Sequence, residues 1–149
     1  MKKLLLLLAI ISSFVACGNA QKQTETAATK INDNSLDVLY FHGKQRCITC
    51  RAIETLTKEV LDADFAEAQK SGKVIFKIID ISQKENEAIA DKYEVTWSSL
   101  ILDKGGKVVN LTDMGFSYAK NQPEVFKSKL KKEITKLLVG ALFYPYHKG

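Results

Sequence analysis

Two cysteines three positions apart, in Cys47-Ile48-Thr49-Cys50, are the side chains of this sequence best suited to chemistry. At that spacing they can close an intramolecular disulfide, and the open dithiol can attack another disulfide through its thiolate. Upstream, Leu36–His42 is nearly continuous apolar and β-prone, and Gly43–Arg46 is a polar loop. Downstream, Ile53, Leu56 and Val60 recur at helical spacing. The pair therefore sits between a strand and a helix, with both thiols on the helix's first turn. There, unpaired backbone N–H groups and the positive dipole end favour an anion. Lys44, Arg46 and Arg51 add positive charge around the pair. His42 is the titratable side chain of the preceding strand nearest the pair; it could act as a base for Cys50, or be a loop-end histidine bonded to backbone.

The rest of the chain must position this pair. Leu61, Phe65 and Ala68 continue the first helix or form a second one broken around 62–64, and Ser71-Gly72 stops it. Val74–Asp80 reads as a second strand buried on both faces, and Ser82 as the N-cap of a helix ending near Tyr93. Ser98–Leu102 is a third strand, 104–107 a glycine turn, and Lys107–Thr112 the returning arm of a hairpin. A last helix runs from about Pro123 to Val139, with Asn121 and Glu124 at capping-box spacing. Phe126, Leu130, Ile134, Leu137 and Leu138 share one of its faces, leaving Lys127 and Lys131 on an exposed one. Alternating strands and helices imply a parallel pair reached by right-handed crossovers, and the hairpin adds antiparallel strands.

The ends read differently. Met1-Lys2-Lys3 is followed by an apolar run of 13 residues, Leu4–Ala16. That is short of the roughly 20 a bilayer span needs, and it suits the core of a signal peptide over residues 1–16. Phe14-Val15-Ala16-Cys17-Gly18 resembles a bacterial lipobox, with Phe14 in place of the usual Leu; the resemblance implies cleavage before Cys17 and its acylation. Two or more acyl chains on one residue make a lasting anchor. Residues 18–35 are small and polar and read as a tether, residues 36–140 as the folded domain, and residues 141–149, with His147, as a frayed tail.

Composition narrows the function. The 149 residues are 46% hydrophobic and 26% charged, as in an ordinary globular domain. Three cysteines and two histidines exclude a disulfide-built scaffold and a zinc-finger array. The formal charge of +5 falls to +3 once residues 1–16 are removed, leaving 20 basic residues against 17 acidic ones. That is weak support for nucleic-acid binding, and none is expected.

The strand VLYFHG leading to RCITC, the VIFKIID strand, ENEAIADKYEV, the LILDKGGKVV hairpin and Gly115 together resemble the thioredoxin superfamily over roughly Leu36–Leu138. The resemblance implies a minimal thioredoxin-like α/β fold, β-α-β-α-β-β-α, with a mixed sheet of about four strands flanked by helices. It implies that Cys47 is the exposed nucleophile and Cys50 the resolving thiol, with no organic cofactor or metal required. YFHGKQRCITC also resembles a small family of envelope thioredoxin-like proteins named for a nitrophenyl-compound nitroreductase subunit.

Three departures stand out. Arg46 precedes the motif and Ile-Thr fills it, where the superfamily usually has Trp and Gly-Pro. Ser98 or Ser99 occupies the place of a cis-proline, so a trans peptide is expected there. The buried acid before the motif is replaced by the apolar run Val38–Phe41. Trp97 should lie near the thiols, lining a partner surface or filling the core edge. Gly115 should mark a close backbone approach.

These features point to an exported, lipid-anchored thiol–disulfide oxidoreductase of the cell envelope that faces the periplasm and acts on a protein or small-molecule disulfide or thiol partner. The alternatives are a binding module whose dithiol holds a soft metal or metalloid or docks a reductase, and a domain with a permanent structural disulfide.

Overall fold

A computed structural model describes residues 35–140. The expected signal segment, Cys17, the tether up to residue 34 and the tail with His147 lie outside the described residues.

Among the described residues, nine main elements follow one another. They are β1 (Leu36–His42), α1 (Ile48–Asp64), α2 (Ala66–Lys70), β2 (Val74–Asp80), α3 (Glu87–Lys92), β3 (Ser99–Lys104), β4 (Lys107–Asn110), α4 (Thr112–Tyr118) and α5 (Pro123–Gly140). The sheet order is β2-β1-β3-β4. β1 pairs parallel with β2, Leu36 opposite Val74 through His42 opposite Asp80. It pairs antiparallel with β3, Tyr40 opposite Leu100, and β3 pairs antiparallel with β4. The mixed four-stranded sheet expected from the alternation is present.

β1 is central, and its six residues Leu36–Phe41 are buried, as the unbroken apolar run requires. Leu36, Val38 and Tyr40 face a core formed with Ile53, Val60 and Leu61 of α1 and Phe126, Leu130, Ile134 and Leu137 of α5. Leu39 and Phe41 face the opposite side, with Ile79, Val95 and Ile101 beneath Ile89 and Tyr93. Period-two alternation thus gives β1 two cores.

Several local expectations are corrected. β2 is an edge strand and only partly buried, with Ile78 48% exposed, because nothing pairs with its outer side among the described residues. β3 starts at Ser99 and runs to Lys104. β4 ends at Asn110, whose Oδ1 accepts from the Thr112 N–H at 2.9 Å and turns the chain into the unforeseen α4. Ser82 caps no helix: its hydroxyl and N–H both donate to the Asp80 carboxylate (2.7 and 2.9 Å), and a 3-10 turn at Lys84–Asn86 precedes α3. α5 takes its first bond from the Phe126 N–H to the Gln122 carbonyl at 3.1 Å, one residue beyond the expected Asn121 cap. Lys127 and Lys131 of α5 pair with Glu59 and Asp64 of α1, so these lysines close a helix–helix contact. Gly72, at φ +70°, ends the α2 segment in a conformation open to glycine. Among the described residues, no helix is long and apolar enough to cross a membrane.

Candidate active site

The Cys47–Cys50 disulfide is formed, with the two Cα atoms 5.1 Å apart. Cys47 is the N-cap of α1, in extended backbone (φ −70°, ψ 166°), and its Sγ accepts the Cys50 N–H at 3.0 Å. The Arg51 N–H donates to the Cys47 carbonyl at 3.1 Å. The N-cap sulfur takes the place of the side-chain oxygen that usually satisfies an open N–H of the first turn. Cys47 is exposed, whereas Cys50 is 6% exposed. One sulfur is therefore accessible to a partner and the other is shielded behind it.

Behind the disulfide stands Tyr40, fully buried on β1. Its phenol donates to the Cys50 carbonyl at 2.6 Å. Ser98 and Arg46 lie close enough to the phenol to favour its ionised form. Burial pushes the Tyr40 hydroxyl above its usual pKa, and the nearby Arg46 charge offsets part of that rise. The group is a neutral donor at physiological pH. Tyr40 is hidden in sequence within an apolar run; its alternation with Leu36 and Val38 is the signal that points it at α1.

Arg46 bends back over this cluster. Its guanidinium is ion-paired with Glu54 of α1 and lies 5.8 Å from the Tyr40 ring centroid. Its Nε is buried without an acceptor. Glu54 was not foreseen either, although it lies seven residues, two helical turns, beyond Cys47 and so on the same side of α1. Lys44 and Arg51 are exposed.

His42 stands on the backbone side of the two readings given for it, with Nδ1 3.0 Å from the Gly43 carbonyl. Its neighbour across the sheet is Asp80, opposite it in the β1–β2 register. The buried acid of this strand is Asp37, at the far end of β1, paired with Lys77 at 3.0 Å.

Ser98 and Ser99 are both buried, and no peptide bond among the described residues is cis. Ser99 donates its hydroxyl to the Trp97 carbonyl at 3.2 Å. The Trp97 ring is 56% exposed and stacks on Phe116 at 5.2 Å between centroids. That exposure suits a contact surface better than a core filler. Ile48, inside the motif, is 69% exposed. Gly115 lies within α4, where an added Cβ would sit 3.0 Å from Ile53 Cδ1; the close approach expected there is between α4 and α1. Among the described residues, no group of three or more His, Cys, Asp or Glu could hold a metal ion.

No family model matches the chain, and no curated protein matches it. The narrower resemblance to a nitroreductase-subunit family therefore rests on its motif alone. Among solved structures, the zinc-bound form of human ERp44 is 19% identical, matched over 76% of this chain and 29% of that one with a TM-score of 0.52. This chain thus spans under a third of the ERp44 length. Fasciola hepatica thioredoxin is 25% identical over 69% of this chain and 81% of its own, with a TM-score of 0.42. A malarial protein is 20% identical over 64% and 97%, with a TM-score of 0.44. The ERp44 likeness bears on fold alone, and it agrees with the mixed β2-β1-β3-β4 sheet and the helix that opens on Cys47. In fold, this chain is thioredoxin-like, with a CxxC disulfide at its first strand-to-helix junction.

Proposed function

We propose that this protein is a thiol–disulfide oxidoreductase working through Cys47 and Cys50. The observation that carries the reading is the pairing of an exposed N-cap sulfur with a shielded one three residues on. In the reduced protein, the Cys47 thiolate attacks one sulfur of a partner disulfide. A Cys47–partner bond forms, the partner's S–S bond breaks, and the released partner thiolate takes up a proton. Deprotonated Cys50 then attacks Cys47 Sγ, closing the intramolecular disulfide and releasing the second partner thiol. Two electrons pass to the partner. A dithiol donor restores the protein by the same exchange in reverse.

The partner is a disulfide-bearing protein or small molecule. Exposed Ile48, next to Cys47 in the chain, supports an apolar contact there, and exposed Trp97 offers a further apolar surface. The apolar leader and the Phe14–Gly18 motif support export and lipid attachment at Cys17, which would place the domain at a bacterial envelope membrane, facing the periplasm. The modest charge supports no nucleic-acid role.

The test is mechanistic trapping. Reduced Cys50→Ser, mixed with a disulfide substrate such as oxidised glutathione, is expected to retain the partner on Cys47 as a stable mixed disulfide seen by intact mass, while Cys47→Ser retains none. Equal trapping by both variants would contradict the assignment of nucleophile and resolving thiol.

A second reading draws support from Ser98 and Ser99 standing where a proline usually guards the dithiol. In it, the reduced pair holds a soft metal or metalloid. Stoichiometric binding of arsenite by the reduced protein, lost in Cys47→Ser and unaccompanied by turnover in the parent, would favour it.

A further inference from the structure

Resting on the redox reading, we infer that Glu54 tunes the acidity of Cys47 by neutralising Arg46. By position, Arg46 looks like the counter-charge of the thiolate, since it directly precedes the nucleophile. Its guanidinium instead lies against Tyr40 and is ion-paired with the Glu54 carboxylate, each side chain about a quarter exposed. A paired cation and anion side by side act at a distance as a dipole, whose field falls off faster than that of one charge. Arg46 is thereby largely cancelled as a source of positive potential at Cys47. The helix N-terminus, with exposed Lys44 and Arg51, supplies what remains.

The groups around Cys47 make this pair the adjustable element. On the β1 side, His42 is turned to the Gly43 carbonyl and towards Asp80. The Trp97–Ser99 segment carries no charged side chain, and the Tyr40 phenol is neutral. Arg46 and Glu54 are a positioning pair: neither exchanges an electron or proton with the partner. Their effect is to hold Cys47 less acidic than its basic surroundings suggest. Because a stabilised thiolate stabilises the reduced form, Glu54 also makes the disulfide less oxidising.

The experiment titrates Cys47 in the reduced protein by thiolate absorbance and equilibrates each protein with glutathione. The set is wild type, Glu54→Gln, Arg46→Gln and the double variant. Glu54→Gln unmasks Arg46: the thiolate share below the midpoint rises about threefold, the order of one unit charge acting through a partly solvated gap, and glutathione reduces the disulfide more readily. Arg46→Gln leaves Glu54 unopposed and shifts both in the opposite direction, while the double variant returns close to wild type. An unchanged titration in Glu54→Gln, or a double variant displaced as far as Arg46→Gln alone, overturns the inference. If Arg46→Gln fails to fold, the Glu54→Gln comparison decides by itself. The thiol titration requires no turnover, so failure of this inference is distinct from failure of the oxidoreductase reading.

Discussion

The phenol of Tyr40, buried on the central strand, donates a 2.6 Å hydrogen bond to the backbone carbonyl of Cys50. It joins the sheet to the first turn of the helix that carries the disulfide. Tyr40→Phe keeps the ring and its packing but removes this donor and leaves the Cys50 carbonyl without it. The expected cost is about 1–2 kcal/mol, that of a buried hydrogen bond lost with its partner left behind. The urea midpoint of the oxidised protein should fall accordingly; an unchanged midpoint would mean that the bond contributes nothing.

Gly115 lets α4 approach α1 until a methyl group would meet Ile53 Cδ1 at 3.0 Å. Gly115→Ala is expected to destabilise by about 1 kcal/mol: strain of about 1–3 kcal/mol from overpacking a core side chain that is 1% exposed outweighs the gain in helix propensity. Ile53→Val removes the clashing atom, so the double variant should be less destabilised than the two single costs added together. Simple additivity in a double-mutant cycle would place the strain elsewhere.

Asp80 is held low, at about 2, by hydrogen bonds from the Ser82 hydroxyl, the Ser82 N–H and the Gln83 amide. The folded value lies below the unfolded one of about 3.9, so the stabilisation is fully present above about pH 4 and is lost as pH falls towards 2. Unfolding midpoints at pH 5 and pH 2 should therefore differ less in Asp80→Asn than in wild type. An equal difference in both proteins would show that Asp80 has no part in acid sensitivity.

Proposed acylation at Cys17 predicts that the protein made in a bacterial host sediments with membranes and incorporates labelled palmitate. Cys17→Ser should lose both. A Cys17→Ser protein that keeps the label would disprove attachment at that residue.

What could be read from the residues follows the range of the forces involved. β1 and the helix after Cys47 were legible because an apolar run and a 3–4 spacing are local patterns, and the CxxC lies where the two meet. β2 lies at the sheet edge although VIFKIID has the composition of a buried strand, because no composition says which strand lies at the edge. α4 escaped because seven residues with Gly115 in the middle show no helical period; its start depends on the Asn110 side chain capturing the Thr112 N–H. At the site, spacing places both cysteines, whereas sequence shows only the charge of Arg46. Its partner Glu54 becomes visible only when α1 is wound and the two side chains meet. Tyr40 needed the direction of β1, which a run apolar on both faces conceals.

The central claim is that Cys47 and Cys50 form a working couple. The most direct measurement equilibrates the domain with glutathione or dithiothreitol buffers of graded potential and assays catalysed reduction of a protein disulfide by the same preparation. A reversible two-electron transition is expected in the range of about −300 to −120 mV occupied by exchange-active dithiols, with turnover that disappears in Cys47→Ser. A potential far below about −300 mV together with no turnover would identify the bridge as structural and contradict the account.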